Sequence, residues 1–429
     1  MKRKAVITLL GMLSHSKPMH ISTDGEVKRL FQDIPKKDRA IYKFSEELNK
    51  FNSVLVENQY INTLPLLIDA FDDRDIIPIA TQKAKDVQEK SLKFLNINDS
   101  CLDNTVIIDE SNYEAIFQQI SELLQRKEYE SFIIDLTHGF RHLPILMIVN
   151  LIIASMRDLD KIEHIFFAKE IKSAKEYEII DLLEYIGLAK LSFVLQNFNT
   201  NYTVGNKLYF RNEKYQELVD SLRIISGHIL GNSIKRLIDG ENSLIVETIQ
   251  KLKELQQIDK KIETFSSYIN EIIEHLQTIQ ELKNQKDYIR LFELSEIMKE
   301  REYLLNSITL LNESMGLYCA EKIANINRGI RNKIENYKNS SDFDLYKFSH
   351  KSKTLVEKED GFTGNYLNRS FDKNEIVLAL QNQDNGDLKA LIVEIKNLRN
   401  NLAHGNSSDE IGNVKGKITL LINRYKKII

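Results

Sequence analysis

The stretch SFIIDLTHGFRHLPILMIV, residues 131–149, joins a short apolar run to a helical pattern through a polar turn. The apolar run ends at Asp135, and Thr137, His138 and Gly139 follow before the second run begins. A buried strand that passes through such a turn into a helix is the repeating unit of a parallel sheet with helices on its faces. The stretch therefore predicts an α/β fold.

Four further apolar runs of strand length occur between residues 1 and 185, and helical patterns separate them. They are AVITLLG (5–11), IIPIAT (76–81), TVIIDE (105–110) and HIFFA (164–168). This alternation predicts a mainly parallel, Rossmann-like sheet over residues 1–185, with the basic N-terminus leading into its first strand rather than forming a signal peptide. Such sheets bind ligands at the carboxyl ends of their strands.

The composition excludes several classes of protein. The chain has 429 residues, of which 42% are apolar and 28% charged, so two or three domains with real cores are expected. A formal charge of -3 indicates no general affinity for nucleic acid or an anionic membrane. The longest apolar run, Leu143–Met156, is shorter than the roughly 20 residues that span a bilayer. Two cysteines, Cys101 and Cys319, are too few for a disulfide framework or thiolate metal site, so a cytoplasmic protein is expected.

Beyond residue 185 the strand patterns largely stop, and an all-α region is predicted. Between Leu255 and Ile279 apolar residues recur at alternating steps of three and four, which predicts a coiled coil or helical hairpin in a connecting region, residues 186–285. A third domain, residues 286–429, should end in a helical bundle.

The third domain shows three kinds of pattern. A long helical pattern covers Tyr288 to Ala324, and a looser polar stretch covers residues 336–374. Basic residues cluster between Arg328 and Lys353, where either a local basic face or a solvated surface is expected. Two further helices complete the chain, and the first of them should end at Ala403 or His404.

Polar residues and glycines at two strand ends predict a ligand site. Gly11 and Ser14 follow the first strand, and Gly139 allows close backbone approach where a helix N-terminus offers free N–H groups. Arg141 lies at the same end, as do His138 and His142. This set fits a phosphate or nucleotide cradle, and it fits equally a tight turn with a capping side chain and an internally bonded histidine. The spacing matches neither a Walker loop nor GxGxxG, so ATP and NAD are not expected.

The strand ending in LLG, the segment NTLPLLIDAFDDRDIIPIATQKA (62–84) and DLTHGFRHLP (135–144) together resemble the CARF domain of CRISPR-associated ancillary proteins. CARF domains sense cyclic oligoadenylate in type III systems. The resemblance covers residues 1–185 and implies a homodimer that shares one cyclic tetra- or hexa-adenylate across its two-fold axis. It also leaves open a degradation of the activator by Thr137 or His138. The lining residues that it implies are Gly11, Thr81, Thr137, His138 and Arg141.

A second polar cluster lies in LRNNLAHGNSS, residues 398–408, at the end of the predicted C-terminal helix. Five residues at about 100° each place Arg399 and His404 about 140° apart around the axis and ~7.5 Å apart along it. The pair is poorly placed to chelate a metal, but a phosphate in a groove between two helices could meet both. Cations that merely cap a helix C-terminus remain the alternative.

The segment Arg399–His404 resembles the R-x4-H signature of HEPN ribonucleases. Together with the CARF-like region, it makes the whole chain similar to CARF plus HEPN ancillary ribonucleases. This implies a metal-independent endoribonuclease without a cofactor, activated by cyclic oligoadenylate and cleaving single-stranded RNA in antiviral defence. Its catalytic residues would be Arg399, His404 and Asn400. The alternative is a CARF-type transcription regulator with a DNA-binding element in ISGHILGNSIKRL, residues 225–237.

Overall fold

The computed structural model describes residues 3–12, 39–55, 59–156, 161–172, 175–239, 243–341, 343–358 and 373–429. Ser14, one of the predicted ligand residues, lies outside them. The chain forms two compact units. The first unit comprises Met1–Phe193 with Lys207–Asn212, and the second unit comprises Val194–Asn206 with Glu213–Ile429.

A seven-stranded sheet in the order β2-β7-β6-β5-β1-β3-β4 forms the centre of the first unit. The strands are β1 (Arg3–Leu9), β2 (Ile41–Phe44), β3 (Asp75–Ala80), β4 (Val106–Ile107), β5 (Tyr129–Asp135), β6 (Ile162–Lys172) and β7 (Glu176–Asp181). All neighbouring pairs are parallel except β6 and β7, which are antiparallel. The prediction of a mainly parallel α/β sheet is confirmed.

Helices cover both faces of this sheet. They are α1 (Thr63–Ala70), α2 (Gln82–Phe94), α3 (Tyr113–Leu124), α4 (His142–Ser155) and α5 (Leu183–Asn201), the last of which runs into the second unit. Along β1, Ala5, Ile7 and Leu9 point into one apolar cluster, whereas Val6 and Leu10 belong to another. Because both faces of a central strand are covered, β1 is apolar without alternation.

Two strands, β2 and β7, were not predicted from the sequence. β2 has four residues, and β7 buries only Ile179 and carries charged residues at both ends. β2 is an edge strand, and β7 lies between β2 and β6 at the same end of the sheet. Both bury little apolar surface, so their sequences lack the signal that marks β1, β3 and β5. Short 3-10 helices also cover Glu46–Val54 and Ser100–Asn104.

The second unit is helical in its described residues. Its helices are α6 (Glu213–Leu230), α7 (Lys235–Ile238), α8 (Leu244–Ile258), α9 (Ser266–Glu281), α10 (Asp287–Glu300), α11 (Leu304–Ala324), α12 (Arg328–Lys338), α13 (Leu345–Lys358), α14 (Lys373–Gln381), α15 (Gly386–Ala403) and α16 (Ile411–Lys426). The 3-10 turns Lys260–Phe265 and Leu282–Asn284 follow α8 and α9. The periodic stretch 255–279 is thus a helical hairpin rather than one continuous coiled-coil helix.

Two other helical predictions differ from the structure. The pattern from Tyr288 to Ala324 is divided between α10 and α11, with Glu302 at a φ of +65° in the turn that separates them. Within the stretch predicted to be loose and polar, α13 forms because Phe348, Leu355 and Val356 bury one face. Residues 359–372 of that stretch lie outside the described part of the chain. Among the described residues, no helix combines the length and apolar character needed to cross a bilayer.

A buried histidine ties the end of α5 to α9 within the second unit. The hydroxyl of Tyr202 hydrogen-bonds to Nε2 of His275, and the guanidinium of Arg301 lies 4.3 Å from the centroid of the Tyr202 ring. Burial, assisted by the charge of Arg301, lowers the pKa of His275 to about 4. The neutral imidazole is therefore the form that the fold accommodates.

We expect this histidine to make the second unit sensitive to acid. The folded-state pKa of His275 lies below its ordinary value of 6.5, so the unfolded chain takes up the proton first as the pH falls. Stability is then full above pH 6.5 and should fall by roughly 3 kcal/mol as the pH approaches 4. Urea denaturation followed by helical circular dichroism should show this loss in the wild type and a smaller one in His275→Gln. An equal loss of stability between pH 6.5 and pH 4 in the two proteins would contradict this role of His275.

Candidate functional site

The three central strands of the first unit bring the predicted ligand residues to one edge of the sheet. β1 lies between β5 and β3, and all three strands run in parallel. Their carboxyl ends lead directly to Gly11, Thr81 and the turn 136–141. Ligands of open parallel sheets bind at this edge, so the edge is the first candidate site.

The carboxylate of Asp135, the last residue of β5, connects the elements that meet at this edge. Asp135 is 1% exposed, and its Oδ2 accepts hydrogen bonds from the hydroxyls of Thr8 at 2.8 Å and Thr63 at 2.7 Å. Its Oδ1 accepts from the backbone N–H of Thr137 at 3.1 Å and from the Thr137 hydroxyl at 2.6 Å. Four donors satisfy the buried carboxylate and join β1, α1 and the turn after β5.

Two glycines meet where the loops after β1 and β5 cross. A Cβ on Gly11 would lie 3.1 Å from the backbone nitrogen of Gly139, and Gly139 itself has a φ of +97°. Only glycine fits both conditions without displacement of one loop. The side-chain amide of Gln88, on α2, donates to the carbonyl of Gly11 at 3.2 Å and fixes the same loop.

Three predicted ligand side chains have partners inside the fold. Nε2 of His138 accepts from the N–H of Thr63 at 3.3 Å, and burial lowers the pKa of this imidazole, which favours its neutral form. The hydroxyl of Thr137 donates to Asp135 and accepts from the N–H of Ala168 at 3.0 Å. Thr81 caps α2 by accepting from the N–H of Ala84 at 3.2 Å. These hydrogen bonds hold the three side chains against the fold, so they position the edge more than they face a ligand.

Arg141 is the side chain of the set that remains open to a ligand, whereas His142 packs beside it. Arg141 is exposed and occupies the N-cap position of α4, with no side-chain hydrogen bond to the helix. The ring of His142 lies against Tyr113, with 4.9 Å between ring centroids, and its Nε2 is buried without a hydrogen-bond partner. A phosphate at the N-terminus of α4 would meet the guanidinium of Arg141 there.

The second candidate site lies in the second unit, beside the end of α15. Backbone groups close that helix, since the N–H of Asn406 donates to the carbonyl of Asn401 at 2.9 Å and that of Gly405 donates to Leu402 at 3.3 Å. Gly405 has a φ of +66°. This pair of bonds is a Schellman motif, and it satisfies the helix end without either cationic side chain. The predicted end of the helix at Ala403 is confirmed.

Arg399 faces a small polar cavity instead of the helix end. The cavity has a volume of about 90 Å³, and the residues that line it are Asn312, Glu313, Tyr346, His350, Lys353, Lys396, Arg399 and Asn400. The guanidinium of Arg399 donates to the amide oxygen of Asn400 at 3.2 Å, while its Nε is buried and has no partner in the described part of the chain. The cavity therefore offers unused donor capacity to a ligand.

Close contact between α11 and α13 builds the opposite wall of this cavity. A Cβ on Gly316 would lie 2.0 Å from Oγ of Ser349, so glycine is needed for this approach. The Ser349 hydroxyl donates to Glu313 at 3.3 Å, and the ammonium of Lys353 donates to Oδ1 of Asn312 at 2.6 Å. Helical spacing places Ser349 and Lys353 one turn apart on the face of α13 that meets α11.

His404 does not share the cavity with Arg399. It is exposed at the C-cap of α15 and is absent from the residues that line the cavity. The sequence predicts this separation, because five residues of α-helix turn the two side chains away from each other. Arg399 and Asn400, in contrast, lie at the cavity together.

No group of three or more His, Cys, Asp or Glu side chains in the described ranges is arranged to hold a metal ion. Both cysteines are free thiols. Burial raises the pKa of Cys101 to about 11 and that of Cys319 to about 12, so neither is a thiolate near neutral pH.

No protein-family model matches the chain, and no curated protein matches it significantly.

Sequence reasoning did not identify the partners of Arg399 in the cavity. Lys353 carried a weak signal, because it precedes the buried Val356 by one helical turn and lies at the margin of the buried face of α13. A lysine at a core-facing position of an amphipathic helix is unusual unless it is paired or functional. Asn312 and Glu313 gave no such signal in the sequence, since polar residues on a long helix are normally solvated.

Proposed function

We propose that the protein is a homodimeric, metal-independent endoribonuclease that cleaves single-stranded RNA when cyclic oligoadenylate binds its N-terminal domain, as in type III CRISPR antiviral defence. The observation that carries the proposal is the orientation of Arg399. Because a Schellman motif closes α15, the arginine is not needed as a cap, and it lines a cavity with a buried, unpaired Nε. This arrangement supports the phosphate-binding role that R-x4-H implies over the capping role.

The chemistry needs no metal. The 2'-oxygen of one nucleotide attacks the adjacent phosphorus, and the bond to the 5'-oxygen breaks, which leaves a 2',3'-cyclic phosphate and a 5'-hydroxyl. A base removes the 2'-hydroxyl proton, and an acid supplies one to the departing oxygen. Arg399 would stabilise the charge on the phosphorus-bound oxygens, with Asn400 beside it. His404 of the second copy would handle a proton, because the His404 of the same chain lies outside the cavity.

An apolar stripe on α4 supports a homodimer built on the first unit. Ile145, Val149 and Ile153 recur every four residues and are 62%, 41% and 49% exposed. The stripe begins one turn after Arg141, at the edge where the activator would bind. A second copy that covers it would bring two such edges together, which suits a symmetric ring ligand.

The proposal is tested by RNA cleavage in EDTA, with and without cyclic tetra-adenylate or hexa-adenylate. A labelled single-stranded RNA should be cut only when one of the rings is present, to products ending in 2',3'-cyclic phosphate. Sedimentation should show a dimer in the same buffer. A dimer that binds a ring but cuts no RNA with any ring size would overturn the ribonuclease assignment.

The contacts of the residues concerned favour neither a DNA-binding regulator nor degradation of the activator. In the region considered for DNA binding, α7 has four residues, and Leu237 and Ile238 are buried, so it does not offer the exposed recognition helix that the regulator hypothesis requires. Degradation of the activator by Thr137 or His138 is likewise disfavoured, because Asp135 and Ala168 already bond to the Thr137 hydroxyl and Thr63 bonds to Nε2 of His138.

A further inference from the structure

A buried lysine beside Arg399 is hydrogen-bonded to a neutral amide rather than to a carboxylate. Lys353 is 4% exposed, and its ammonium donates a hydrogen bond of 2.6 Å to the neutral amide of Asn312. Among the described residues, no carboxylate forms an ion pair with it. A buried ammonium that no ion pair compensates destabilises a fold, so such groups often mark a ligand site.

The charges around Lys353 increase this imbalance. Lys396 and Arg399 line the same cavity, and burial together with these two cations lowers the pKa of Lys353, against the raising effect of Glu313. Glu313 already accepts from Ser349 at 3.3 Å and from Asn312 at 3.2 Å. The carboxylate of Glu357 pairs with Lys396 at 3.5 Å.

The cavity therefore presents donors and positive charge to an anion. An ammonium has three N–H donors, of which Asn312 takes one, and the buried Nε of Arg399 is also unused. Phosphate groups suit such a site, because their oxygens accept several charge-assisted hydrogen bonds at once.

We propose that Lys353 is a further catalytic residue, which binds the scissile phosphate of the RNA together with Arg399. This inference rests on the proposed ribonuclease function and extends it to a residue outside R-x4-H. The two cations approach the phosphate from α13 and α15, and the charge that develops on its oxygens during 2'-oxygen attack falls between them. No proton transfer is required of Lys353.

The proposal is tested with Lys353→Met, which keeps the length of the side chain and removes its charge. Activator-dependent RNA cleavage should fall by roughly 10²-fold, the size of effect seen when one oxyanion-hole donor is removed from an enzyme. Inorganic pyrophosphate should raise the Tm of the wild type and should no longer raise that of the variant. Without any ligand, the Tm of the variant should be equal or higher, since an uncompensated buried charge has been removed.

Lys347→Met is the matched control. Lys347 lies on the same helix, is exposed, and forms a surface ion pair with Asp344 at 3.0 Å, so its loss should change neither cleavage nor the pyrophosphate effect. If Lys353→Met lowers the Tm of the free protein, Lys353→Arg decides, because a restored pyrophosphate effect supports anion binding and an absent one overturns it.

Two outcomes separate this inference from the ribonuclease proposal. Wild-type cleavage rates in Lys353→Met would overturn the role of Lys353 and leave the ribonuclease intact. A wild-type protein that cuts no RNA, but shows a pyrophosphate effect that depends on Lys353, would overturn the ribonuclease while supporting the anion site.

Discussion

Arg399→Ala is expected to reduce activator-dependent RNA cleavage by about 10²- to 10³-fold, the range observed when a single oxyanion-hole donor is removed from an enzyme. The loss should appear in kcat rather than KM, because the guanidinium would act on charge that develops during the reaction. The measurement is the single-turnover rate on a labelled RNA at saturating activator.

Folding should be nearly unaffected by this substitution. Among the described residues, the Arg399 side chain makes one hydrogen bond, to its neighbour Asn400, and its Nε has no partner, so its truncation should change the free energy of unfolding by less than about 1 kcal/mol. Arg424→Ala on α16 is a suitable control, since Arg424 is ion-paired at the surface with Glu394 at 2.7 Å. An undiminished cleavage rate in Arg399→Ala would place the active site elsewhere.

Local sequence determined what could be predicted about this C-terminal site. The helix end, the glycine after it and the angular separation of Arg399 and His404 all follow from a repeat of 3.6 residues. The cavity does not, because Asn312, Glu313 and Lys353 lie 46 to 87 positions away and reach Arg399 only through the packing of α11 and α13. Gly316 permits that packing. Its contact with Ser349 cannot be identified from the helical pattern of either segment alone.

The first unit shows the same limit. Adjacent parallel strands bring their carboxyl ends together, so the grouping of Gly11, Thr81 and the turn after β5 could be anticipated. The internal bonds of His138 and Thr137 could not, because they depend on Thr63 and Ala168, which come from other elements. Side chains predicted to face a ligand therefore proved to be partly occupied by the fold itself.

Asp135→Ala should be the most destabilising of the substitutions considered. It removes the acceptor of four hydrogen bonds and leaves three hydroxyls and one N–H without that partner in a closely packed edge. Unsatisfied buried donors next to a small cavity are expected to lower the free energy of unfolding of the first unit by about 3–5 kcal/mol. Hydrogen exchange of peptides from β1 and β5 should speed up accordingly.

A graded series distinguishes a scaffold role for Asp135 from direct ligand contact. Asp135→Asn keeps the size and one acceptor oxygen, and the hydroxyls of Thr8 and Thr63 can rotate, so about half of the loss should return. Asp109→Ala, which alters an exposed carboxylate that accepts from Ser111, should cost little.

Because Asp135 is too deeply buried to touch a ligand, affinity for cyclic oligoadenylate should fall in step with stability along this series. Full stability with lost affinity in Asp135→Asn would instead mean that the carboxylate charge itself is felt at the strand ends. The scaffold role predicts instead that stability and affinity fall together, since the carboxylate holds Thr137 and the turn at Gly139 in place.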